Sequence, residues 1–266
     1  MRRTLIALAL LLALCASASA RQAPAARKID EFGGVAFSDM LARLDNFAIE
    51  LQNEPASTGV IAVYPEMTDR FPGWFIGRAY WAKGYLTKPR GLAGRVSVVN
   101  GGFRDKVTYE LWVVPPGAEQ PVKPLDWALE LSRERNPILF DRDVFENVPS
   151  APGIEEYADY TDEKDRHEPF VSALRADPAA RGLIIAYATR RNPRGADRRL
   201  AAREKLSIMK LHAIGADRIK AIGGGPRKNR TVEYWIVPPG AEPPKPAPDP
   251  PAVRRTRRPK SRAPRE

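Results

Sequence analysis

The sequence of 266 residues predicts an α+β protein made of two tandem sandwiches, each in the order β-α-β-α-β-β. Three observations carry this expectation. A strand-like stretch occurs twice, as Thr108-Tyr-Glu-Leu-Trp-Val-Val-Pro-Pro-Gly-Ala-Glu119 and as Thr231-Val-Glu-Tyr-Trp-Ile-Val-Pro-Pro-Gly-Ala-Glu242. At an offset of 123 residues the chain aligns with itself without a gap from Asp39 over Asp162 to Glu119 over Glu242. Twelve of the twenty-one positions from 99 to 119 are then identical, which marks an internal duplication rather than chance similarity. Helical spacing also alternates with short apolar runs in the same order in both copies.

In the first copy, the apolar residues between Ile29 and Phe37 predict a short strand, and Ser38 offers a helix N-cap with Asp39 in the first turn. Leu41, Leu44, Phe47, Ala48 and Leu51 follow at helical spacing, with Pro55 just past the end. Val60 to Tyr64 is a continuous apolar run of strand length, expected to be covered on both faces. After a loop from Pro65 to Gly73, Trp74 to Leu86 is again helical, with Phe75, Ala79, Ala82 and Leu86 on one side, and Pro89 and Gly91 break it. Arg95 to Val99 is a strand, Asn100-Gly101-Gly102 a turn, and Lys106 to Val114 the closing strand. Its double proline cannot donate to a ladder and stops it.

The second copy differs in places. Pro169 falls where the first copy has Asn46, so its first helix is expected to start or kink there. Its second helix, about Asp197 to Leu211, is more basic. Residues 125–150 find no counterpart and read as linker plus an extra element, a helix to about Arg135 before Pro137. The expected domains are therefore 29–119 and 151–242, joined by 120–150. From Pro243 onward prolines and then Lys/Arg dominate without hydrophobic periodicity, so 243–266 is expected to be disordered or extended.

The formal net charge is +11, but from Lys245 to the end eight Lys/Arg face two acids, so much of the excess is a tail. Arg2 and Arg3, the apolar run Leu5 to Leu14 and the small-x-small site Ala18-Ser19-Ala20 form an export signal, expected to be cleaved after Ala20. The only cysteine, Cys15, lies inside it, so the mature chain has no disulfide or thiolate. The product is expected in the periplasm or outside the cell, without a transmembrane segment, and export argues against a nucleic-acid partner.

No catalytic, metal or cofactor signature emerges. His167 and His212 are the only histidines and stand at no metal-ligand spacing. Gly223-Gly224-Gly225 lacks the Lys-Ser/Thr that completes a phosphate loop and reads as a turn. Trp112 and Trp235 read as sheet-covering aromatics, with a stacking site as the other reading. The loop after the second strand distinguishes the copies. It offers carboxylates in copy one (Glu66, Asp69) and guanidiniums in copy two (Arg190, Arg191, Arg194). A solvated loop is one reading; an anionic ligand is the other, since guanidinium pairs planar anions in bidentate fashion.

Three local features stand out: Leu44-x-x-Phe47-Ala48-x-x-Leu51 with Pro55 and Val60-Ile61-Ala62-Val63; Arg78-Ala79-x-x-Ala82-x-x-Tyr85-Leu86; and Gly91-Leu92 with Arg95-Val96 before the glycine turn, answered in copy two by Ile214-Gly215 with Arg218-Ile219. Together they resemble the OmpA-like domain, a periplasmic module that grips peptidoglycan. The resemblance implies that an acid of the loop after the second strand and an arginine of the next helix hold the two charged ends of diaminopimelate. Arg78 falls on the arginine position, with Glu66 or Asp69 as the acid; in copy two Ala201 replaces the arginine, with Arg203 nearby. The expected protein is a non-enzymatic envelope binder of peptidoglycan or another anionic polymer. The competing expectation is a periplasmic scaffold that keeps its sheets for an envelope protein partner.

Overall fold

A computed structural model describes residues 24–66, 72–145 and 161–250. The export signal, Asp69 and the basic run beyond residue 250 lie outside the described residues. The chain is α+β and forms two compact units, one around each of two four-stranded mixed sheets.

The first unit contains β1 (Arg27–Phe32), α1 (Phe37–Asn53), β2 (Thr58–Tyr64), α2 (Pro72–Thr87), β3 (Val96–Asn100) and β4 (Thr108–Val114). Its sheet order is β1-β4-β2-β3, with β2 parallel to β3 and β4 antiparallel to both β1 and β2. The predicted element order is observed. One local expectation is corrected: Ala36, not Ser38, stands at the N-cap of α1, and no side chain caps it.

Alternation along the strands divides the sheet into two faces. Tyr109, Leu111 and Val113 point one way, and the Tyr109 hydroxyl donates to the Phe75 carbonyl of α2, so this is the helix-covered face. Leu44, Phe47, Ala48 and Leu51 of α1 and Ile76, Ala79, Ala82 and Leu86 of α2 are buried there. Gly59 is required for this closeness, because a Cβ would come within 2.8 Å of Leu51 and 3.0 Å of Phe47. The other face carries Ala62, Tyr64 and Trp112, covered by Val122 from the segment after β4. Both faces of β2 are thus covered, and every residue from Gly59 to Tyr64 is buried. Arg95 closes the C-terminal end of α1, donating to the carbonyls of Leu51 and Glu54 at 2.7 and 2.8 Å. Its counterpart Arg218 donates to those of Leu174 and Asp177. These arginines satisfy orphan helix carbonyls.

A short helix α3 (Trp127–Arg133) follows, as expected, and the chain then enters β5 (Ile138–Phe145). Here the expectation that residues 125–150 lack a counterpart is corrected. β5 pairs antiparallel with β8 as β1 pairs with β4, and both pairs shift register at matching places, Lys28/Asp30 and Leu139/Asp141. The second repeat continues with α4 (Glu163–Ala176), which belongs to the second unit from Phe170 onward, β6 (Arg181–Thr189), α5 (Ala196–His212), β7 (Ile219–Arg227) and β8 (Arg230–Val237), in sheet order β5-β8-β6-β7. The first strand was hidden because the connection after it is longer, which breaks the common offset. Pro169 lies inside α4 rather than at its start, and a helix tolerates the loss of one ladder bond when its apolar face is buried, as at Phe170, Val171 and Leu174. Residues 243–250, expected to be disordered or extended, are hydrogen-bonded to the second repeat, as described below.

The matching bulges carry Asp30 and Asp141 with different fates. Asp30 is bonded by the Arg43 guanidinium at 2.8 and 2.9 Å. The half-buried Asp141 is pushed up to about 7 by burial and by neighbouring Asp143, against the Arg142 N–H that favours its charge. Between the ordinary carboxylate range and about pH 7 the folded chain therefore keeps a proton that the unfolded chain has lost. Stability should fall as pH rises through that window and level off above it. Asp141→Asn removes the penalty: unfolding titrations should show it more stable than the parent by about 2 kcal/mol at about pH 8, with the two converging below about pH 4.

Candidate functional site

Two sites emerge, one common to both repeats and one peculiar to the second. The common site is a buried carboxylate on the helix-free face of each closing strand. Glu110 is 4% exposed and Glu233 2%. Glu110 Oε2 accepts from the Tyr64 hydroxyl at 3.1 Å and the Trp112 indole at 3.0 Å, and Oε1 from Arg104 at 2.9 Å. Glu233 repeats the pattern with Tyr187 at 3.2 Å, Trp235 at 3.2 Å and Arg227 at 2.8 Å. A further cation closes each, Lys28 at 3.4 Å and Arg142 at 3.0 Å. The guanidinium of Arg104 lies 3.5 Å from the Tyr64 ring centre, and that of Arg227 lies 3.4 Å from the Tyr187 ring centre. Burial opposes the charge of Glu110, but the bonds from Arg104, Trp112 and Tyr64 outweigh it and hold the carboxyl below its usual range. Burial, with the nearby carboxylate, raises both tyrosines above theirs. Every carboxylate oxygen already receives protein donors, so this arrangement clamps the glycine turn to the sheet and leaves no lone pair for a ligand.

Sequence reasoning missed this site although a signal existed. The residues identical between the two closing strands are Thr108, Glu110, Trp112 and Val114, every second position, whereas Tyr109, Leu111 and Val113 are replaced. Period-two identity marks one face of a strand. The copies share their helix-free face and differ in the helix-packed one.

The second site is a pair of hollows in the second repeat that share Ala188 and Asn192. One, of about 350 Å³, is lined by Arg199, Arg203 and Arg230. The other, of about 360 Å³, is lined by Arg190 and Arg194 together with Asp197 and Gly225. Arg199 and Arg203 stand one helical turn apart on α5, and Arg230 opens β8 with its guanidinium 4.1 Å from the Phe145 ring centre. Among the described residues no ion pair holds Arg199, Arg203 or Arg230; Arg199 donates only to the Arg194 carbonyl at 3.2 Å. Asp197 is committed elsewhere, accepting the Gly225 N–H at 3.0 Å. The like charges of Arg199 and Arg203 at i, i+4 oppose each other, and Arg199 in the first turn also opposes the macrodipole. The first copy has Ile76, Tyr80 and Val107 at the positions of Arg199, Arg203 and Arg230.

The residues singled out from the sequence fall as follows. Arg203 lines the first hollow and Arg190 the second, while Arg191 is exposed beside them. Arg190 donates to the carbonyls of Asp249 and Pro250. In the first repeat, Arg78 donates to Met40 Sδ at 3.9 Å, and the backbone of Glu66 pairs with that of Arg104 in an isolated parallel β-bridge. No hydrogen bond or ion pair joins Arg78 to Glu66. His167 and His212 are buried. Among the described residues no three His, Cys, Asp or Glu side chains are grouped to hold a metal, and no helix is long and apolar enough to cross a membrane. Comparison with protein families, with curated proteins and with solved structures finds no match.

Proposed function

We propose that this is an exported, non-enzymatic envelope protein whose second repeat holds an anionic polymer of the cell wall, peptidoglycan being the expected one. One observation carries the reading: Arg199, Arg203 and Arg230 converge on one hollow with no carboxylate partner among the described residues, at positions where the first repeat is apolar or aromatic. Three guanidiniums at one opening suit carboxylate or phosphate groups, which they meet in bidentate fashion. Placing them together works against helix electrostatics, and such local conflicts concentrate at functional sites. The resemblance to the OmpA-like domain supports the wall as the setting. It would place binding at Arg78 in the first repeat instead, so the two locations compete.

Sedimentation with purified sacculi tests the reading. The full chain should be retained, and retention should weaken as salt rises, because exposed charges are screened. The triple variant Arg199→Gln, Arg203→Gln, Arg230→Gln should lose at least about tenfold in affinity, equivalent to about 1.4 kcal/mol, while Arg78→Ala should bind like the parent. Unchanged retention of the triple variant, with loss in Arg78→Ala, moves the site to the first repeat.

The docked proline-rich segment favours a second reading, a scaffold whose sheets receive a protein partner.

A further inference from the structure

Residues 243–250 form a strap without regular secondary structure, and its residues 247–250 bond to Tyr187 of β6, to Arg190 and to the last residues of β7. The Ala247 N–H donates to the Tyr187 hydroxyl at 3.1 Å, and Arg227 returns Nε and a terminal nitrogen to the Ala247 carbonyl at 3.1 and 3.0 Å. The Asp249 N–H donates to the Pro226 carbonyl at 2.9 Å, and the Lys228 N–H to the Asp249 carboxylate at 2.5 Å. Arg190 takes the carbonyls of Asp249 and Pro250. Pro248 rests on Gly225, where a Cβ would stand 3.2 Å from its own.

These bonds define what the groove reads. Of the strap residues from 246 to 250, only 247 and 249 possess an N–H, and the groove accepts both. Prolines at 246, 248 and 250 occupy positions from which no donor is asked, and proline favours the extended backbone. The Asp249 side chain adds a contact that fixes register. The first repeat receives a segment at the same place: Leu125 N–H donates to the Asn100 carbonyl at 2.7 Å, and Leu125 packs 3.7 Å from where a Gly102 Cβ would be. Leu125 and Pro248 stand at the common offset, as do Gly102 and Gly225, Pro121 and Pro244, and Asp126 and Asp249. Each repeat thus has a segment lying over its glycine turn, held by a different main-chain bond.

We infer that the groove formed by Tyr187, Arg190, Gly225, Pro226, Arg227 and Lys228 is a recognition site for a Pro-x-Pro-Asp-Pro strand, filled in cis by the strap and open in trans to the strap of a second copy of this chain. The strap is held largely through its own backbone, by one main-chain bond to Pro226 and by the side chains of Tyr187, Arg190 and Arg227, and its residues 245–248 are exposed. Exchange between copies replaces each bond with its like. The groove has this occupant whether or not the arginine hollows take an anion.

The test uses a fluorescent peptide of residues 243–250 and two full-length chains, the parent and Ala247→Pro with Asp249→Pro, which removes both donors from the cis strap. In the parent the tethered strap competes at an effective concentration on the order of millimolar. The double variant should bind the peptide at least about tenfold tighter than the parent. A peptide carrying the same two prolines should bind neither chain. Equal affinity of both chains, or of both peptides, overturns the inference. Hydrogen exchange adds an independent reading: the Ala247 and Asp249 amides of the parent should exchange at least about tenfold more slowly than in the free peptide, and unprotected amides show that no strap is docked. Loss of folded circular dichroism in the double variant would also overturn it, by making the strap an obligatory part of the fold rather than an exchangeable ligand.

Discussion

Replacing Glu233 by alanine should destabilise the second repeat by about 3 kcal/mol, because removing one member of a buried ion pair leaves the remaining charges uncompensated. Arg227 and Arg142 would lose their shared acceptor, and Tyr187 and Trp235 would lose theirs. Urea unfolding followed by tryptophan fluorescence checks this, with Glu110→Ala as the matched change in the first repeat. For Glu110 the sign with pH follows from its lowered titration. Its contribution is present above the ordinary carboxylate range and is lost as pH falls through the lowered folded value. A loss under about 1 kcal/mol in both variants would mean that the carboxylates are solvated rather than clamped.

Gly224→Ala should cost about 2–3 kcal/mol by overpacking. An added methyl would stand 2.3 Å from a ring carbon of Tyr187, and the ring has nowhere to go. Its hydroxyl is tied to Glu233, and the Arg227 guanidinium covers it at 3.4 Å from the ring centre. Gly101→Ala meets Tyr64 at 2.2 Å in the same way. The second repeat carries an additional consequence: the Tyr187 hydroxyl also receives the Ala247 N–H, so displacing the ring should loosen the strap. Thermal unfolding together with hydrogen exchange at Ala247 separates the two effects. An unaltered melting temperature would contradict the close approach of Gly224 to the Tyr187 ring.

Much of the fold was legible because its signals are local. The helical faces of Leu44-Phe47-Ala48-Leu51 and the apolar run of β2 announce themselves by period and by burial on both faces. The first strand of the second repeat was not legible, since Ile138-Leu-Phe-Asp-Arg-Asp-Val-Phe145 is half polar and sits at a different offset from its partner. The docking of the strap was not legible, because proline-rich composition forbids a hydrophobic core but not hydrogen bonds from the strap backbone to Tyr187, Arg227 and Pro226. The carboxylate clamp was overlooked because a lone Glu in a strand reads as solvent-facing; only the alternation of identity between copies betrays it. For the arginine hollow the loop residues Arg190 and Arg191 and the helix residue Arg203 were visible as a basic bias. Arg199 stands one helical turn from Arg203, a spacing the sequence carries, whereas Arg230 joins them only through the packing of α5 against the sheet.

Arginine footprinting on the full chain locates the anionic ligand without depending on any substitution. The chain would be treated with phenylglyoxal alone and with soluble peptidoglycan fragments present, and the modified arginines read by mass spectrometry. Protection of Arg199, Arg203 and Arg230, with exposed Arg191 still reactive, is the predicted result. Protection confined to Arg78, with the three arginines of the hollow reacting as in the free chain, would contradict it.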